Sequence, residues 1–144
     1  MKMQALKDFA VAALIVLLGA SSANAIPTTL RADIPFDFMA GNVSLPAGAY
    51  TVTQPAQGVL LIRNENPGPN AAFVLVNSAE TTKPQDSAKL IFHRYGNRYF
   101  LNQVWTNGET SGYSVPKSQD EISVGKELMG ANRPEAVSVV ASLR

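Results

Sequence analysis

The chain has 144 residues, 16% of them charged, a formal net charge of +1 and a mean hydropathy of +0.02. That balance offers nucleic acid no basic patch and gives no steering field toward an acidic surface. There is no cysteine, so neither disulfide staples nor a lipid-anchored cysteine are available, and thiolate zinc sites are excluded.

The first 25 residues have the layout of a secretory signal peptide. Met1 to Lys7 is short and basic, Phe9 to Ala20 is a run of apolar and small residues, and Ser21–Ser22 lead into Ala23–Asn24–Ala25, an A-x-A cleavage pattern. The apolar run is well below the roughly 20 residues that a membrane-spanning helix needs. The expectation is cleavage after Ala25, export to the periplasm or beyond, no permanent membrane anchor, and a mature domain over residues 26–144. Lys2, Lys7 and Asp8 fall within the leader, which leaves ten cations and ten anions in that domain. A domain of this size buries about two-thirds of its unfolded surface, so a single core is expected.

From Leu30 the pattern has period two. Leu30, Ala32, Ile34, Phe36 and Phe38 alternate with Arg31, Asp33, Pro35 and Asp37, which predicts one half-buried strand with Pro35 at an open edge or a bulge. Gly41–Asn42 and Leu45–Pro46–Ala47–Gly48 mark turns. Strands are expected at Ala49 to Gln54, Val59 to Ile62 and Ala71 to Val76, separated by Pro55 to Gly58 and by the Asn-, Pro- and Gly-rich stretch from Asn64 to Asn70.

Ala88 to Tyr95 and Arg98 to Thr106 flank Gly96–Asn97, a pair suited to a type II′ hairpin turn. This turn sets a register: Tyr95 faces Arg98, Arg94 faces Tyr99, His93 faces Phe100, Phe92 faces Leu101, Ile91 faces Asn102 and Ala88 faces Trp105. Asn107–Gly108 predicts a second tight turn, with Tyr113 opposite Asn102 and Val115 opposite Phe100. Both faces of the resulting meander are apolar. Leu90, Phe92, Leu101 and Trp105 share one, Ile91, Phe100, Val104 and Val115 the other, and the pattern alone leaves open which is the core.

Ser118 followed by Glu121 is a capping box. It predicts a short helix over 118–129 with Ile122, Leu128 and Met129 as its apolar stripe, Gly130 as its stop, and a weak point at Gly125. After Arg133–Pro134, the alternation of Val137, Val139, Ala141 and Leu143 with Ser138, Val140 and Ser142 predicts a last strand. The expected fold is a single all-β domain, a small antiparallel barrel or closed sandwich of about seven to nine strands with one short helix near the C-terminus.

The chain has one histidine, His93, too few for a three-histidine metal site. No serine lies in a Gly-x-Ser-x-Gly elbow. Asp33 and Asp37 would stand roughly 13 Å apart on a regular strand, too far for a glycosidase pair. What remains is an aromatic and basic cluster: His93, Arg94, Tyr95, Arg98, Tyr99, Phe100 and Trp105. Aromatic rings interleaved with arginine can stack on bases or sugars; the simpler reading is cross-strand packing, with Arg94 over Tyr99 as a cation–π pair. Asn42–Val43–Ser44 is a glycosylation sequon of a kind common by chance.

Two stretches carry a family resemblance: Ile34–Pro35–Phe36–Asp37–Phe38 with Gly41 and Leu45 to Val52, and Leu90 to Leu101 running on to Val104–Trp105 and Pro116–Lys117–Ser118. Together they resemble a group of small exported proteins of acidobacterial type. The resemblance implies export and an all-β domain. It implies no activity, cofactor or catalytic residue.

The functional expectation is a non-catalytic exported β-domain with a binding or structural role. It needs no cofactor or metal, and its partner would be a small apolar or sugar ligand, or a protein. Two alternatives stand beside it, a small hydrolase using His93 and a small outer-membrane β-barrel.

Overall fold

The structure is a computed structural model that describes residues 29–128 and 133–143. The expected leader and its expected cleavage residues Ala23 and Ala25 lie outside the described residues, as do Met129 and the expected helix stop Gly130. Eleven strands run in chain order: β1 (Leu30–Ile34), β2 (Phe38–Ala40), β3 (Val43–Leu45), β4 (Gly48–Ala56), β5 (Val59–Asn64), β6 (Ala71–Leu75), β7 (Asn77–Glu80), β8 (Lys89–Tyr95), β9 (Arg98–Trp105), β10 (Ser111–Ser114) and β11 (Glu135–Leu143). One helix, α1 (Gln119–Glu127), precedes β11.

Nine strands form one path in the order β3-β2-β9-β8-β11-β1-β4-β5-β6, while β10 pairs with β9 and carries β7. The sheet curls until its two ends, β3 and β6, come near each other. Among the described residues the fold is an all-β, nearly closed barrel with one short helix, as the period-two patterning implied.

The stretch from Leu30 to Phe38 is two strands rather than one. β1 keeps the expected alternation, with Leu30, Ala32 and Ile34 buried and Arg31 and Asp33 exposed. Pro35 then ends the ladder because it has no amide proton to donate. Beyond it the chain crosses the barrel, so β1 pairs with β11 and β4 while β2 pairs with β3 and β9. Asp37 fixes this corner by accepting a hydrogen bond from the Ala47 amide, 2.9 Å away.

The Gly96–Asn97 turn has φ +61° at Gly96 and a negative φ at Asn97, the type II′ requirement. The register follows as expected from Tyr95↔Arg98 to Phe92↔Leu101 and then changes. Ile91 pairs with Gln103, not Asn102, and Lys89, not Ala88, pairs with Trp105. Asn102 is one extra residue on β9, a β-bulge, and one extra residue reverses the alternation beyond it. Val104 thereby joins Leu90, Phe92 and Leu101 in the main core, and Trp105 turns to the opposite side. The next connection is also longer than the tight turn expected at Asn107–Gly108. Trp105 pairs with Gly112 and Tyr113 with Val104, while Val115 bonds back to the Asn102 carbonyl.

The barrel interior is dense. Aromatic rings run through it edge to face, with Phe36–Phe92 at 5.0 Å, Phe92–Phe38 at 5.4 Å and Phe38–Tyr50 at 5.1 Å between centroids. Tyr50 has no exposed surface, and its hydroxyl donates to the Pro46 carbonyl oxygen at 2.5 Å. Burial raises the Tyr50 phenol pKa above its ordinary value.

Candidate functional site

The aromatic and basic cluster does not form one site. Alternation along β8 and β9 divides it between the two faces of the hairpin. Arg94 and Tyr99 are paired on the inner face, where Tyr99 packs against the main core. The Tyr99 ring stacks on Phe36 at 3.8 Å, and the Arg94 guanidinium lies 5.7 Å from its centroid, the cation–π pair expected from the register. The Arg94 Nε also donates to the Gly96 carbonyl at 2.8 Å, and its Nη1 is 3.7 Å from Glu135.

His93, Tyr95 and Phe100 lie on the outer face beneath α1. Arg98 extends over Phe100 at 5.3 Å. Trp105 is 5% exposed and stands apart, with its indole N–H donating to Gln103 at 2.9 Å. Gly112 lies directly beneath the indole, since a Cβ there would come within 2.6 Å of Trp105 Cε3.

Two shallow clefts flank the hairpin tip. One, of about 440 Å³, is lined by Arg94, Gly96, Arg133 and Glu135. The other, of about 150 Å³, is lined by Asp37, Phe38, Met39, Ser44, Asn97, Arg98 and Tyr99. His93 borders neither.

The most organised chemistry lies under the helix. Ser118 caps α1 and its hydroxyl accepts from the Glu121 amide at 3.2 Å, the first half of the expected capping box. In the second half the Glu121 carboxylate would reach back to the cap. It turns inward instead and is only 3% exposed. Its Oε2 accepts from the Tyr95 hydroxyl at 3.0 Å and from His93 Nδ1 at 3.1 Å. Burial, and then the bond to Glu121 with the charge behind it, pushes the Tyr95 phenol up to about 12. Among the described residues, no third His, Asp or Glu joins this pair to form a metal cluster.

This arrangement redefines the buried face of the helix. The expected stripe was Ile122, Leu128 and Met129, yet Ile122 is only half-buried. The inward residues are Glu121, Val124, Gly125 and Leu128, one face at three- and four-residue spacing. Val124 and Leu128 pack on Tyr95, Phe100 and Met39. Apolar periodicity could not find Glu121 because it is charged. The available signal was its place three residues after Ser118, over strands that carry His93 and Tyr95.

No family model, curated protein or solved structure matches the chain.

Proposed function

We propose that this is an exported, non-catalytic β-domain that works by presenting its outer surface for binding or assembly. The packed interior carries the reading. The largest core side chains, among them Tyr50, Phe92, Ile34, Leu60, Ile62 and Leu101, are each less than 2% exposed. Rings and branched side chains in that state pack closely against one another, which supports recognition at the outside of the barrel. The leader pattern over residues 1–25 supports export.

The same surface weighs against the outer-membrane barrel. In such a barrel the apolar residues face lipid and the lumen is polar. Here the rings face inward, and Arg31, Asp33 and Arg63 are exposed on the outside.

One observation favours a second reading, a hydrolase using His93. A carboxylate holding Nδ1–H leaves Nε2 as the free, basic nitrogen. The Glu121 contact supplies that orientation, and the His93 side chain is 23% exposed. The first reading gives His93 a structural role instead, the anchoring of α1.

Expression of the full chain with its leader, followed by fractionation and N-terminal sequencing, tests the proposal. A soluble exported species beginning at Ile26 is expected. An uncleaved chain in the membrane pellet would refute export. Assay of the mature protein against ester, phosphate and glycoside panels addresses catalysis. Turnover abolished in His93→Gln, with the fold intact by circular dichroism, would establish the hydrolase reading in place of the first.

A further inference from the structure

The ends of β8 and β11 bring four residues together around an empty corner. The two strands pair with Glu135 opposite Arg94. Continuing that antiparallel register by two residues sets Arg133 opposite Gly96, on the same face. All four residues line the cleft of about 440 Å³ at the hairpin tip, and small-ligand sites span about 300–1,000 Å³. The hollow has a local cause. Gly96 brings no side chain, its φ of +61° favours glycine, and nothing lies within 4 Å of where a Cβ would stand.

The charges around the hollow are unbalanced. Two guanidiniums meet one carboxylate: among the described residues Arg133 forms no ion pair, and Glu135 answers Arg94 only at 3.7 Å. Arg94 is also held in place, by the Tyr99 ring beneath it and by its Nε bond to the Gly96 carbonyl, which leaves its Nη groups for a ligand. A guanidinium stays charged at any physiological pH and presents a fork that matches a planar carboxylate. The Gly96 corner adjoins both arginines, so a carboxylate placed there is flanked by them. Glu135 stands at the opposite corner, across a diagonal of roughly 7–8 Å, and an ionised carboxylate only accepts hydrogen bonds. The site therefore asks for an anion at one end and a donor at the other. The carboxylate and ammonium of an α-amino acid share one carbon and are too close together to span the diagonal. A carboxylate and a hydroxyl on opposite sides of a six-membered sugar ring match it. A phosphate dianion would meet Glu135 as a like charge.

We infer that this cleft binds an acidic sugar of the uronic-acid class, with Arg94 and Arg133 holding its carboxylate over Gly96 and Glu135 accepting from a ring hydroxyl. The contacts lie at the surface, where each ion pair contributes little, so the expected dissociation constant is on the order of 1 mM. The inference rests on the reading of the protein as a binding domain and names the place and the ligand class.

Titration of the isotope-labelled mature protein with sodium glucuronate, followed by amide NMR at constant ionic strength, tests it. Saturable shifts at Gly96 and Glu135 are expected. Glucose, which has the ring but no carboxylate, should give none. Arg133→Gln should weaken glucuronate binding at least threefold and leave the fold intact, since Arg133 is exposed and forms no ion pair among the described residues. Glu135→Ala separates a built site from a patch of positive charge: it should weaken glucuronate binding and strengthen that of acetate. A spectrum unmoved by about 20 mM glucuronate would overturn the inference. Equal binding of glucuronate and acetate, or glucuronate binding strengthened by Glu135→Ala, would overturn it as well. In each of those outcomes recognition elsewhere on the outer surface still stands, because that broader reading is decided by the export and turnover measurements above.

Discussion

The two faces of the β8–β9 hairpin are built on opposite principles. The inner face sets Phe92, Leu101 and Tyr99 into the barrel, where rings from β2, β4 and the Phe36 corner surround them. The outer face sets His93, Tyr95 and Phe100 beneath a nine-residue helix, and a buried carboxylate holds the layer together. Apolar packing on the inside is non-directional and tolerates small shifts. The outer layer is fixed by two directed bonds to one oxygen and by a small apolar contact through Val124 and Leu128. A helix this short is not stable alone in water. The outer layer therefore depends on the barrel, whereas the barrel's core does not depend on the helix.

Phe92→Ala should have the largest effect. Phe92 has no exposed surface and meets both Phe36 and Phe38 edge to face. Its removal leaves a cavity at the centre of the ring chain and should cost about 3–5 kcal/mol. Urea unfolding measures this, and the loss should appear equally in signals from the sheet and from the helix. A loss confined to the helix would reverse the proposed dependence.

Glu121→Ala should cost less and act locally. It strands the Tyr95 hydroxyl in a 6% exposed position, a penalty of about 1–3 kcal/mol. Hydrogen exchange should rise over Gln119–Glu127 while the β1–β4–β5 amides keep their protection. Glu121→Gln keeps an acceptor and should lose less. The same contact has an alkaline limit. The Tyr95 phenol is raised from 10.0 to about 12, so the folded state favours the protonated donor. Its stabilisation is fully present below pH 10 and is lost as the pH rises through 12. Absorbance at the phenolate band should show one tyrosine titrating near 12 that Tyr95→Phe removes, and that variant should lose this part of the alkaline dependence of its helix signal.

The sequence revealed these two faces unequally, for physical reasons. The hairpin register from Tyr95 to Phe92 was legible because Gly96–Asn97 admits few turn geometries. The bulge at Asn102 was not, since nothing in its side chain marks an extra residue, and Val104 and Trp105 were consequently assigned to the wrong sides. The N-cap at Ser118 was legible, and the buried face of α1 was not, because an ionisable Glu121 occupies a position that apolar periodicity reserves for a hydrophobe. β7 escaped notice for a related reason: Asn77, Ser78 and Glu80 are exposed, and a strand without a buried stripe has no period to read. The division at Pro35 was half visible. Proline signalled an irregularity, but the crossing from β4's neighbour to β9's depends on contacts far along the chain.

Gly125 gives the comparison its finest test, with the opposite sign. It lies in the middle of α1 on the face that meets the sheet, and its φ is not positive, so helical backbone does not require glycine there. Close approach to the barrel would be the other reason for a glycine. A Cβ at 125 would meet Tyr95 Cε1 at 3.7 Å, an ordinary van der Waals contact. Gly125→Ala should therefore add helix propensity without a clash and stabilise α1 by about 0.5–1 kcal/mol. Because the helix is the dependent layer, the gain should appear as slower exchange over Gln119–Glu127, with little change in the urea midpoint of the sheet. A variant destabilised throughout would mean that α1 sits closer to Tyr95 than this contact allows and that the two faces are coupled more tightly than their chemistry implies.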